Sequence, residues 1–170
     1  INQALHTKIL DFSLAGMHGP PPASFTWLAL GSMGRKEQLL ISDQDNALIY
    51  CDVPEKDQEK TSQYFLQLAN KVTVNLEAVG FALCPAEMMA SNPKWCLSLS
   101  SWKEQFRDWI TNPDEEKILL CNIFFDFRGI FGNTELPVQL EKCIVEYIES
   151  HGIFLNRLAL NAVKNPPPIS

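Results

Sequence analysis

Two short apolar runs constrain the fold more than any other feature. Phe25-Thr26-Trp27-Leu28-Ala29-Leu30 and Ala47-Leu48-Ile49-Tyr50 are too short for buried helices and are bounded by Gly31-Ser32 and by polar residues, so each predicts a buried strand. Between and around them the apolar spacing is helical. Leu5, Ile9, Leu10 and Phe12 predict a short amphipathic helix, stopped by Gly19-Pro20-Pro21-Pro22. Phe65, Leu68, Val72, Leu76 and Val79 step by three and four, so a long helix is expected from about Asp57 to Val79, with Gly80 as its stop. Pro54 to Lys60 reads as a solvated turn, and Phe81 to Leu99 as a structured loop broken by Pro85 and Asn92-Pro93.

The C-terminal half follows the same logic. Trp102, Phe106, Trp109 and Ile110 form a helical stripe ended by Asn112-Pro113. Ile118 to Phe127 is the most strand-like run, closing on Asp126-Phe127-Arg128-Gly129. Helix is expected again over roughly Leu136 to Val163, interrupted at His151-Gly152. Few strands among abundant helix give an α/β (α+β) class, a small sheet covered by helices. Trp102, Phe106 and Trp109 read as core, whereas Asn92 and Trp95 have no packing period and are candidates for nucleotide or acceptor contacts.

Composition narrows the partners. Fourteen Lys and Arg against twenty Asp and Glu give a net charge of −6, which argues against tracking a nucleic-acid backbone. No apolar run is long enough to cross a bilayer. The five cysteines are widely spaced without a CxxC pair, and the three histidines are isolated, so neither a zinc site nor a disulfide framework is expected. A reducing cytoplasm is the expected setting. The chain opens on Ile1 without a signal pattern and closes on Asn165-Pro166-Pro167-Pro168, which reads as a linker and suggests a module from a longer protein.

The chemistry concentrates between the two runs. Gly31-Ser32-Met33-Gly34-Arg35-Lys36 follows a strand and is expected to open a helix. Glycine lets phosphate approach the backbone, a helix N-terminus offers free N–H donors, and Arg35 and Lys36 could neutralise phosphate oxygens. Asp43 and Asp45 are spaced i, i+2 and would share one strand face. Two carboxylates about 4 Å apart repel by roughly 4 kcal/mol at an effective dielectric near 20, which a divalent cation relieves. The alternative is a solvated or turn-capping pair at an exposed strand start. Asp126, among Phe124, Phe125 and Phe127, also needs a partner, a proton or a metal; the alternatives are a metal shared with the first two aspartates and a pairing with Arg128 or with backbone at the strand end.

Gly31-Ser32, Gly34-Arg35-x-Glu37 and Ser42-Asp43-x-Asp45 together resemble the signature of the DNA polymerase β-type nucleotidyltransferase superfamily. The Gly-Arg-x-Glu element is similar to that of the uridylyltransferase of the PII nitrogen-signalling protein. Over nearly the whole chain, Cys84-Pro85, Met89-Ala90-Ser91-Asn92-Pro93, Trp95, Trp102, Trp109 and Phe124-Phe125-Asp126-x-Arg128 resemble the nucleotidyltransferase domain found beside CBS and cyclic-nucleotide-binding domains in bacterial signal-transduction proteins. Ala86-Glu87 departs from the small residues expected after Cys84-Pro85.

The resemblance implies a small mixed nucleotidyltransferase sheet flanked by helices. It implies one domain over 1–164, with an N-terminal helix (1–20), a catalytic core (25–132) and C-terminal helices (135–164), followed by a linker at 165–170. Gly31 and Ser32 would hold the β- and γ-phosphates of a nucleoside triphosphate, with Arg35 and Lys36 as further phosphate contacts. Arg35 could instead pair with Glu37. Asp43, Asp45 and Asp126 would form a two-Mg²⁺ site. The implied reaction moves a nucleoside monophosphate to a hydroxyl of a protein or small molecule, with pyrophosphate released. A nucleotide-sensing domain without transfer and a helical interaction module are the alternatives.

Overall fold

The computed structural model describes residues 2–34 and 43–164, with the backbone alone at 32–33 and 161–164. The first apolar run forms β1 (Phe25–Ala29) and the second forms β2 (Asn46–Tyr50), and every residue of both is buried. Two further strands, β3 (Cys96–Ser98) and β4 (Arg128–Gly132), complete a sheet of order β3-β2-β1-β4. β1 pairs antiparallel with β2 and with β4, while β2 and β3 run parallel, so the sheet is mixed.

Alternation along β1 feeds two cores. Phe25, Trp27 and Ala29 join the cluster under α1 (Asn2–Ala15) and α3 (Glu55–Ala78). Leu28 and Leu30 join the other cluster, under α4 (Leu99–Thr111), α5 (Glu115–Phe124), α6 (Glu135–Ser150) and α7 (Gly152–Lys164). A strand covered on both faces has no use for polar positions, which is why β1 is so uniformly apolar. A single turn, α2 (Gly31–Gly34), follows β1.

The α3 stripe Phe65, Leu68, Val72 and Leu76 is fully buried, but Val79 caps the helix and is exposed. The helix also starts earlier than Asp57. Pro54 occupies the N-cap position, and Glu55 and Asp57 complement the positive end of the helix, so most of the expected 54–60 turn is the first turn and a half of α3. On the opposite face Trp102 Nε1 donates to the Leu48 carbonyl at 3.0 Å, pinning α4 to β2.

Three expectations in the C-terminal half are corrected. Ile118 to Phe127 is not a strand. Asp114 accepts a hydrogen bond from Lys117 N at 2.8 Å as an N-cap, Glu115 and Glu116 occupy the first turn, and Ile118, Cys121 and Phe124 bury one helical face. The strand is β4, immediately after, so Asp126 lies in the turn between α5 and β4 rather than at a strand end. The 81–99 segment contains a 3₁₀ turn, Pro93–Trp95, and the short strand β3. Within it Trp95 is buried, stacked on Trp102 at 6.2 Å and packed on Phe124 at 4.6 Å. Asn92 caps the 3₁₀ turn, accepting from Lys94 N and donating to the Glu87 carbonyl. The only signal available at Trp95 was its distance from any periodic stripe, and a residue in a buried turn has none.

Candidate active site

The sheet register brings the sequence-predicted aspartates to one end of the fold. Ala29, the last residue of β1, faces Asn46 on one side and Arg128 on the other. Asp45 directly precedes β2, and Asp126 stands two residues before β4. The chain leaving β1 at that end is Leu30-Gly31, and it turns at once into α2.

Gly31 makes that turn with φ of 55°, a left-handed conformation that favours glycine. A Cβ built there would stand 3.5 Å from Asp45 Oδ2, which places the start of α2 against this carboxylate. Gly34, one turn on, donates its N–H to the Leu30 carbonyl at 3.2 Å. A Cβ on Gly34 would overlap the Asp126 carbonyl oxygen and stand 3.2 Å from that of Ala29. Arg128 Nε donates to the Gly34 carbonyl at 3.2 Å, and its Nη1 donates to Gln3 Oε1 at 3.0 Å. The α2 turn is thus wedged between the Asp45 and Asp126 arms. Ser32 lies in it with its backbone alone described, and Arg35 and Lys36 lie outside the described residues.

Residues 43–46 alternate in role as well as in direction. Asp43 is exposed and Asp45 half-buried, whereas Gln44 and Asn46 are buried. Gln44 N donates to the Ala82 carbonyl at 2.8 Å, and its Nε2 donates to the carbonyls of Thr73 and Phe81 at 3.0 and 3.3 Å. Asn46 N donates to the Met88 carbonyl at 3.0 Å, and Asn46 Oδ1 accepts from Ala90 N at 2.8 Å. Leu30 N donates to the Asp45 carbonyl at 3.1 Å. Two amide side chains therefore anchor the segment inward while two carboxylates occupy the intervening positions. Gln44 and Asn46 were not singled out from the sequence. Their interleaving with Asp43 and Asp45 was the signal that could have identified them.

The electrostatics follow from this placement. Burial raises the Asp45 pKa above the ordinary carboxylate value, a hydrogen bond with the Cys84 thiol opposes the rise, and the charge of Asp43 adds to it. Cys84 responds reciprocally: burial first, and then the Asp45 carboxylate, push its thiol upward. Two oxygen-donor groups whose charges oppose each other suit a hard divalent cation, which Mg²⁺ commonly completes with phosphate oxygens and water. Asp126 is exposed in its turn. Among the described residues no three His, Cys, Asp or Glu side chains form a group that could hold a metal ion. β2 and β4 flank β1 on opposite sides, which separates their backbones by roughly 10 Å.

No helix among the described residues is long and apolar enough to cross a membrane. No curated protein matches the chain. The family described as Putative nucleotidyltransferase DUF294 matches residues 1–116 of the 170, a span that contains α2, both arms of the 43–46 alternation and the Cys84 loop but ends before Asp126. The chain belongs to this nucleotidyltransferase family.

Proposed function

We propose that this domain transfers a nucleoside monophosphate from a triphosphate to a hydroxyl of a protein or small-molecule acceptor, within a signal-transduction protein. The observation that carries the reading is the alternation at 43–46. It holds a carboxylate pair in place by buried amides and sets Asp45 against Gly31, where α2 begins.

In this reading Gly31 and Ser32 receive the β- and γ-phosphates, Arg35 and Lys36 add positive charge, and Asp43 and Asp45 hold Mg²⁺. Bound there, Mg²⁺ would offset the charge of carboxylates and phosphates and make the attacking hydroxyl more acidic. The acceptor oxygen bonds to the α-phosphorus, the bond from that phosphorus to the bridging oxygen breaks, and pyrophosphate leaves with the electron pair. Asp126 would help to hold the second Mg²⁺ and would accept the hydroxyl proton. Catalysis rests on positioning and charge stabilisation rather than on a covalent intermediate.

The similarity to the PII uridylyltransferase, the neighbouring CBS or cyclic-nucleotide-binding domains, the catalytic core at 25–132 and a cytoplasmic setting belong to the same proposal. The net charge of −6 favours a protein side chain or small molecule over nucleic acid as acceptor. The test incubates the chain with each nucleoside triphosphate, with and without Mg²⁺, and measures both thermal shift and pyrophosphate release. Mg²⁺-dependent stabilisation by at least one triphosphate is expected, and release once an acceptor is supplied. Stabilisation without release for any acceptor would mark a nucleotide sensor, and no response to any Mg²⁺-nucleotide would mark an interaction module.

A further inference from the structure

A cleft of about 550 Å³ lies between the 86–97 segment and helices α4 and α5. We infer that it seats the nucleoside of the triphosphate, an inference that rests on the transfer reading above. Position is the first argument. Met88 lines the cleft, and its carbonyl accepts the Asn46 N–H, one residue from Asp45. Glu87 also lines it, and Glu87 N donates to the Cys84 carbonyl at 2.9 Å, closing a tight turn onto the cysteine whose thiol meets Asp45. A triphosphate held beside Asp45 therefore has a cleft within reach of its sugar and base.

The lining chemistry is the second argument. Met88, Leu97 and Leu120 supply half-buried apolar surface, while Trp95 and Trp109, which also line the cleft, are largely buried against one another at 6.1 Å. Apolar surface with a few polar groups around it suits the uncharged part of a nucleotide. At the rim Gln105 offers both amide donors and an acceptor. Charge there is mixed: Lys117 pairs with Asp108 at 3.1 Å, and Glu87, Lys94 and Glu116 also line the cleft. A mixed rim has no excess of cations for phosphate, which assigns the triphosphate to the α2 end and the uncharged base to the cleft. The volume is that of a small-molecule site rather than an extended peptide groove.

Calorimetric titration of the whole chain with Mg²⁺ tests this, comparing each nucleoside triphosphate with inorganic tripolyphosphate. Two variants fill the cleft from different helices: Gln105→Trp from half-buried α4, and Glu116→Trp from an exposed position on α5. The wild type is expected to bind at least one nucleoside triphosphate about tenfold or more tightly than tripolyphosphate. Both variants should lose most of that difference, with tripolyphosphate affinity unchanged. Unchanged nucleotide affinity in both variants, or equal wild-type affinity for nucleotide and tripolyphosphate, would overturn the nucleoside cleft and leave the transfer reading standing. A wild type that binds neither compound would overturn the transfer reading, and this inference with it.

Discussion

The Asp45 and Asp126 arms reach the same end of the sheet by different means. Asp45 stands on a segment tied by backbone or amide hydrogen bonds to Thr73, Phe81, Ala82, Met88 and Ala90, so its position is set by buried polar groups that are costly to leave unpaired. Asp126 stands in an exposed turn whose backbone closely approaches Gly34. One arm is anchored by buried amide side chains, and the other packs its backbone closely against a residue that has no side chain. Pre-organisation suits a group that must hold charge before substrate arrives, and an exposed turn suits a group that acts once the acceptor is in place.

The largest effect should come from Asp45. Asp45→Asn is expected to lower transfer by about 10³-fold or more, equivalent to ~4 kcal/mol of barrier, and to abolish Mg²⁺-dependent stabilisation by nucleotide. Asp126→Asn should lower transfer by about 10²-fold while leaving that thermal shift in place. Steady-state rates beside melting curves with Mg²⁺-nucleotide check both. Equal loss of binding in the two variants would erase the distinction between the arms.

Gly34→Ala attacks the Asp126 arm through packing alone. The added methyl has to displace the Asp126 carbonyl, and overpacking of this kind costs about 1–3 kcal/mol. Because α2 separates the arms, the turn holding Asp126 should move while the Asn46 and Gln44 anchors persist. A fall in Tm with a loss of transfer larger than the loss of nucleotide binding is the expected pattern. An unchanged Tm would mean that the turn yields without cost and that the close approach does not define it.

The contrast between the arms also explains what could be read from the sequence. β1, β2, α1, α3 and α4 were legible because each buries a run or stripe of residues with a clear period. Asp43 and Asp45 precede β2 rather than standing on a strand, but the alternation of exposed and buried residues over 43–46 still follows the i, i+2 spacing that the sequence shows. Asp126 was misplaced because Leu119-Leu120 and Phe124-Phe125 mask the helical step of Ile118, Cys121 and Phe124, while β4 hides in Arg-Gly-Ile-Phe-Gly, a run with two glycines and a charge. β3 is three residues long and is formed by pairing with β2, which no local pattern encodes. Cys84 as the partner of Asp45 belongs to the same class, since thirty-nine residues of chain separate a contact that only the folded loop makes.

The smallest expected effect tests the loop behind the Asp45 arm. Glu87 adopts φ of 53°, a left-handed conformation that costs an L-residue roughly 1–2 kcal/mol, and it is the only non-glycine with positive φ among the described residues. This is the position where the sequence departs from the small residues that the resemblance implies. Glu87→Gly removes the steric cost but adds roughly 0.5–1 kcal/mol of backbone entropy to the unfolded chain. The net should be a gain of up to about 1 kcal/mol, which for a chain of this size raises Tm by about 2–4 °C. Differential scanning calorimetry of the apo protein reads it directly. A lower Tm would mean that the Glu87 side chain stabilises the turn beyond its strain, and the firmness of the Asp45 arm would then depend on a side chain as well as on the bonds to Met88 and Ala90.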